Sequence, residues 1–257
     1  MRSTLLLDNK EYEDFVDITA AEFYDVVVNN PNIDLSTSQV ATGRVAELYE
    51  EFKNEGYTDV IVVTIAAKLS GTYQGAVLAK DLVDGINVHV VDSKSVSYGQ
   101  VFLVLKAIEM IEANKDAEEI FNKLNELRDK INIYVLVDTL KYLVKNGRLS
   151  AASGFIGTLL KIKPLLKVMD DGSLQAYEKI RTTSKARNRL MEIIEEEIKG
   201  KKVMVFLAYT NNKAEAEAIK ADLIEKQADL EVLVVPLTPV VGAHAGPGTL
   251  GVGYIEL

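Results

Sequence analysis

The stretch Asp59-Val60-Ile61-Val62-Val63-Thr64-Ile65 decides the fold. Between its ends it is β-branched and apolar, which suits a strand buried on both faces. Leu69-Ser70-Gly71-Thr72-Tyr73 follows and opens a short helix that stops at Gly85. A second strand, Asn87–Asp92, leads into a long helix from about Val96 to Ala113. Strand and helix in alternation imply a parallel sheet covered by helices.

Towards the start, Ser3–Leu7 and Lys10–Asp14 read as a hairpin around Asp8-Asn9. Thr19 and Glu22 have capping-box spacing, so a helix begins near Ala20 and ends near Asn30, ahead of Pro31. Val45, Leu48, Tyr49 and Phe52 recur at helical spacing, and Gly56 closes that helix. After Arg128 the pattern changes. Strand Ile131–Val137 precedes short helices at Leu140–Lys145 and Ala151–Lys161. Pro164–Asp170 and Leu174–Arg181 pair across the turn signal Asp171-Gly172. Helix Ser184–Lys199, strand Val203–Tyr209, helix Ala214–Lys226 and strand Leu230–Leu237 come next. A Gly/Pro-rich loop and a last strand, Leu250–Leu257, end the chain. The expected architecture is α/β in two domains: a parallel-sheet α/β/α domain over residues 1–128 and an α+β mixed-sheet domain over residues 129–257.

Composition narrows the function. The 257 residues allow a real hydrophobic core, and 48% apolar with 26% charged residues is ordinary for a globular protein. There is no cysteine, so disulfides and thiolate metal sites are excluded, and a cytoplasmic location is expected. A formal charge of -9 with no run of Lys or Arg argues against nucleic acid. No apolar run is long enough for a secretory signal or a membrane span, so no stable membrane insertion is expected. With two histidines and no carboxylate cluster at ligand spacing beside His244, no metal site is expected. Neither a phosphate-cradling Gly-x-x-x-x-Gly-Lys-Ser/Thr loop nor a Gly-x-Ser-x-Gly elbow is present.

Four polar or glycine-rich stretches remain. Ser36-Thr37-Ser38-Gln39 lies just before a helix, where its hydroxyls would cap the helix or bind an anion. Ser70 follows the strongest strand, where ligands gather in an open parallel sheet, and Gly71 permits close backbone approach. An N-cap with a turn fits Ser70 equally well. Asn146-Gly147 ends a short helix, and Arg148 emerges either to meet an anion or as a solvated cation. His244, in the loop Gly242-Ala243-His244-Ala245-Gly246-Pro247-Gly248, can donate a hydrogen bond to a bound anion. His89 reads as a sheet residue.

Taken together, these stretches resemble the DegV family of fatty-acid-binding proteins. The strings are Thr37-Ser38-Gln39, Leu69-Ser70-Gly71-Thr72-Tyr73-Gln74, Val91-Asp92-Ser93-Lys94-Ser95, Thr139-Leu140-Lys141-Tyr142-Leu143 with Asn146-Gly147-Arg148, Lys179-Ile180-Arg181-Thr182 and His244-Ala245-Gly246-Pro247-Gly248. Their order spans almost the whole chain. The resemblance implies two domains with a lipid between or beneath them, and no cofactor. It also implies a role as the lipid-carrying, non-enzymatic subunit of a two-part fatty acid kinase. By resemblance Thr37 and Ser70 hydrogen-bond the carboxylate, with Ser38 and Gly71 beside them. His244 supports that network, Arg148 lies near the carboxylate, and Arg181 helps the kinase encounter. Family members usually begin with a strand ending in a Thr-Asp-Ser-like loop, whereas this sequence starts at what resembles the next strand. The first family strand is therefore expected to be missing.

The physics permits such a ligand. Burying the methylenes of a 16-carbon acid supplies roughly 12 kcal/mol of gross driving force at ~0.8 kcal/mol each, much of it offset by ordering. Val101-Phe102-Leu103-Val104-Leu105 is apolar all round its helix and is expected to be buried on several faces. Phe155-Ile156 and Leu159-Leu160 form a second apolar stripe. Two rival readings stand beside this one: an acyl hydrolase using Ser70 and His244, and a small-anion sensor or transport module without a lipid.

Overall fold

The computed structural model describes residues 1–149 and 163–257. The expected helix Ala151–Lys161, and with it Phe155, Ile156, Leu159 and Leu160, lies outside the described residues. The chain forms two compact units. One takes Met1–Ser3, Gln39–Lys130 and Asp170–Gly172; the other takes the described residues of Thr4–Ser38, Ile131–Met169 and Ser173–Leu257.

In the first unit, strands β4 (Asp59–Thr64) and β5 (Asn87–Asp92) pair in parallel, Asp59 opposite Asn87 and Thr64 opposite Asp92. Helices α2 (Thr42–Asn54) and α3 (Thr72–Lys80) pack on each other. α4 (Tyr98–Glu112) lies on β4, and α5 (Ala117–Arg128) lies on β5 and α4. The core gathers Val45, Tyr49, Val62, Ala76, Ala79, Val83 and Val88. Helix α5 was not expected. Asp116 caps it by accepting from the Glu119 N–H at 2.7 Å, and Ile120, Leu124 and Leu127 form its buried stripe.

Helix α4 corrects one expectation. It is not buried on several faces. Leu103 and Ala107 are buried, whereas Val101, Val104, Leu105, Ile108 and Ile111 are exposed, Leu105 to 50%. An apolar composition on every face made the helix look interior, but only the stripe through Gly99, Leu103 and Ala107 is buried.

The second unit holds a six-stranded mixed sheet in the order β10 (Glu231–Pro236), β9 (Val203–Tyr209), β11 (Leu250–Glu256), β6 (Ile131–Leu136), β7 (Leu165–Val168), β8 (Leu174–Glu178). β10 and β9 are parallel and the other pairs antiparallel. Helices α7 (Thr183–Ile198) and α8 (Lys213–Lys226) contribute Leu190, Ile193, Ile194, Ile198, Ile219 and Leu223 to its main core.

Residues Thr4–Ser38 belong to this second unit, not to a first domain running to residue 128. β1 (Thr4–Leu7) pairs antiparallel with both β2 (Lys10–Glu13) and β3 (Leu35–Ser38). Asp8 and Asn9 make the turn with positive φ, and the Thr19–Glu22 capping box starts α1 (Ala20–Asn29). Leu5, Leu7, Phe23, Tyr24, Val27 and Leu35 bury themselves with Tyr142 and Ala243. These partners lie more than 100 residues away, so adjacency in sequence misassigned the segment.

Candidate functional site

Strand β3 replaces the helix cap expected at Ser36–Gln39. Leu35 stands opposite Leu7 and Thr37 opposite Leu5. Side chains alternate along a strand, so Thr37 shares the inward face with buried Leu35. Ser36 and Ser38 take the other face and are exposed. Helix α2 is capped at Ala41 without a side-chain bond. Its hydroxyl-rich prelude therefore serves the sheet.

His244 is not in a loop. It sits in the last turn of a short helix, α9 (Pro239–Ala245). Thr238 caps that helix by accepting from the Val241 N–H at 3.3 Å, and Pro239 takes a first-turn position, where its missing N–H costs nothing. Asp14 accepts from the Val240 N–H at 3.2 Å. The glycines have packing reasons. A Cβ on Gly242 would run into the Tyr24 ring, and one on Gly246, at φ +80°, into the Tyr142 ring. Tyr24 also donates to the Leu237 carbonyl at 3.2 Å. At the far end the Asn146 side chain donates to the Ala243 carbonyl at 3.1 Å, and Thr249 to the Ala245 carbonyl at 2.9 Å.

This clamp sets His244 Nε2 2.8 Å from Thr37 Oγ1. Helix α6 (Lys141–Lys145) ends at Asn146, Gly147 turns with φ +67°, and the Arg148 N–H reaches back to the Leu143 carbonyl at 2.9 Å. The Arg148 guanidinium donates to the Asn146 carbonyl at 2.6 Å. Burial, followed by the nearby Arg148 charge, pushes the His244 pKa down to about 4. The imidazole is therefore neutral at pH 7 and carries one proton.

Where that proton sits follows from the partners. Among the described residues, His244 Nδ1 is buried without a hydrogen-bond partner. A proton there would leave a buried donor unsatisfied, at about 1–3 kcal/mol. A proton on Nε2 goes to Thr37 Oγ1 instead. Thr37 then accepts from His244 and keeps its own hydroxyl proton for another acceptor. The pair is thus a neutral donor close enough to Arg148 to feel its charge.

Ser70 and Gly71 belong to the other unit. Ser70 Oγ lies 2.8 Å from Thr72 Oγ1 and accepts from the Thr72 N–H at 3.3 Å. Gly71 is the N-cap of α3, and a Cβ there would collide with the Gln39 carboxamide. Arg181 stands exposed between β8 and α7. The second unit thus brings together Thr37, His244 and Arg148. Asp14, Tyr24, Tyr142, Asn146 and Thr249, which seat them, were not singled out as site residues. Tyr142 and Asn146 stand in strings that carry the family resemblance, whereas Asp14, Tyr24 and Thr249 have no signal beyond the crowding of glycines around His244.

From residue 1 to residue 257 the chain matches the family described as "Uncharacterised protein, DegV family". A DegV domain-containing protein of Staphylococcus aureus is 35% identical over 250 residues, 96% of this chain and 86% of its own length. The crystal structure of DegV, a fatty acid binding protein from Bacillus subtilis, superposes with a TM-score of 0.91 at 32% identity, covering 100% of this chain and 91% of that one. A stearic-acid-binding protein from Eubacterium ventriosum gives 0.86 at 26% identity, with 99% and 90% covered. With a family match from end to end, a relative of this identity and a shared mixed α/β fold, the chain belongs to the DegV family.

Proposed function

We propose that this chain binds a long-chain fatty acid and presents its carboxylate to a separate kinase subunit for acyl-phosphate formation. The observation that carries the binding half is the Thr37–His244 pair beside Arg148, in a family with solved members described as binding fatty acids. A carboxylate leaving water needs donors. Thr37 supplies one hydroxyl proton, His244 holds that hydroxyl in the donating orientation, and Arg148 adds favourable charge. Ser70, Gly71 and Ser38 are carried as further donors from the family resemblance. The hydrogen bonds come from neutral donors while Arg148 acts through its charge, short of a full salt bridge, which leaves the head group free to react.

The kinase half rests on the same resemblance, with Arg181 as the contact. The partner would supply ATP and metal. No observation favours the hydrolase: Ser70 Oγ is engaged by Thr72, and His244 Nε2 by Thr37.

Organic extraction of the purified protein followed by mass spectrometry should release a long-chain acid. Thr37→Ala and Ser70→Ala should each weaken stearate binding by roughly 1–3 kcal/mol in calorimetry, as a buried anion loses a donor. Recovery of no acid and no heat of binding would overturn the reading. Arg181→Glu should leave stearate affinity intact while lowering hydroxylamine-trapped acyl-phosphate in the presence of a kinase subunit.

A further inference from the structure

We propose that Asn146 is a positioning residue that couples Arg148 to His244, and so fixes the spacing between the cation and the Thr37 hydroxyl it serves. The proposal rests on the fatty-acid reading for its ligand but not for its geometry. Asn146 lies at the end of α6 and makes two connections with different groups. Its side-chain Nδ2 donates to the carbonyl of Ala243, the residue before His244, at 3.1 Å. Its main-chain carbonyl accepts from Arg148 at 2.6 Å. One residue therefore holds the histidine helix through its side chain and the guanidinium through its backbone. The main-chain bond survives any substitution, whereas the side-chain bond does not.

A second side-chain tie at this end runs from the Thr249 hydroxyl to the Ala245 carbonyl at 2.9 Å, on the far side of His244 from the Asn146 bond. Titratable groups packed on α9 include Asp14, bonded to the Val240 N–H at the opposite end, and the phenols of Tyr24 and Tyr142, against Gly242 and Gly246. Asp138 lies beside Gly248, beyond the helix, and is paired with Lys163. None of these titratable groups reaches the Ala243–His244 end with a donor. A helix of under two turns (seven residues) has few intrahelical bonds to hold that end by itself.

The test uses the full chain with Asn146→Ala and the near-isosteric Asn146→Asp. His244 is titrated by NMR of its ring nitrogens without ligand, and stearate affinity is measured by calorimetry. Release of the tie should admit water to the imidazole, so the His244 midpoint rises from about 4 towards 6.5 in Asn146→Ala. Stearate affinity should fall about five- to thirty-fold in both variants. A lowered melting temperature with an unmoved His244 midpoint would reduce Asn146 to a structural cap and overturn the proposal. So would unchanged affinity in both variants. If the parent protein binds no stearate, the ligand reading fails, while the titration still decides whether Asn146 sets the environment of His244.

Discussion

The two units solve the same packing problem to different degrees. In the second, β9 and β11 lie inside the six-stranded sheet, and β11 is buried from Leu250 to Ile255. In the first, a parallel pair carries the sheet. Only Val62 and Thr64 of β4 are buried, and α4 leaves five aliphatic side chains in water. Parallel strands are stable when both faces are covered. The Thr37–His244 pair is built wholly on the better-covered unit, and local stability follows such coverage.

The strongest way to break this contrast is to disturb the covered sheet where nothing can yield. Gly253 lies in β11. A Cβ there would enter the Phe206 ring and stand 2.8 Å from the Asn132 carbonyl oxygen, which is backbone. Gly253→Ala should cost about 3 kcal/mol through overpacking, read as a lowered urea midpoint. In the first unit the matching change meets no resistance. Gly43, near the start of α2, has nothing within 4 Å of a built Cβ, and Gly43→Ala should raise stability by about 0.5 kcal/mol. Equal effects at the two glycines would show that the difference in packing does not govern stability.

A proton sharpens the contrast next. The folded His244 takes up its second proton only below about 4, against 6.5 when unfolded. Between those values the unfolded chain binds more protons, so stability falls as pH drops through that window and is complete above it. The loss reaches at most about 3 kcal/mol. Asp34, held low by Lys145, loses its contribution only at more acid pH, below the ordinary carboxylate range. His244→Gln keeps a donor for Thr37 but cannot titrate. Urea midpoints from pH 8 to 4.5 should therefore fall for the parent and stay nearly flat for the variant. Parallel curves would place the titration elsewhere.

Local signals carried most of the elements. The capping box at Thr19–Glu22, the turns at Asp8-Asn9 and Asp171-Gly172, and the β-branched run at 59–65 each specify geometry within a few residues. What depended on distant partners was not legible. Nothing near Thr37 announces that its strand pairs with β1, or that a histidine 207 residues later closes on it. The glycines around His244 stand out in the sequence, but their reason is the rings of Tyr24 and Tyr142, which lie far along the chain. The misreading of the His244 helix as a loop has the same origin. Gly242 is a poor helix former by propensity, and its tertiary contacts override that preference.

The smallest expected effect tests the exposed side of the comparison. Leucines on two helices differ in burial: Leu190 on α7 is at 0%, and Leu105 on α4 is at 50%. Leu105→Lys removes a half-exposed side chain and places a cation one turn before Glu109, in the weaker i,i+4 order and beside a carboxylate already paired with Lys106. Stability should change by less than about 0.5 kcal/mol, as for other surface substitutions. Self-association should change more, because five aliphatics in one exposed row are a site for non-specific contact. Light scattering against concentration should therefore show weaker attraction for Leu105→Lys at an unaltered melting temperature. A melting temperature several degrees lower would mean that α4 is covered in solution by a surface its exposed row does not reveal.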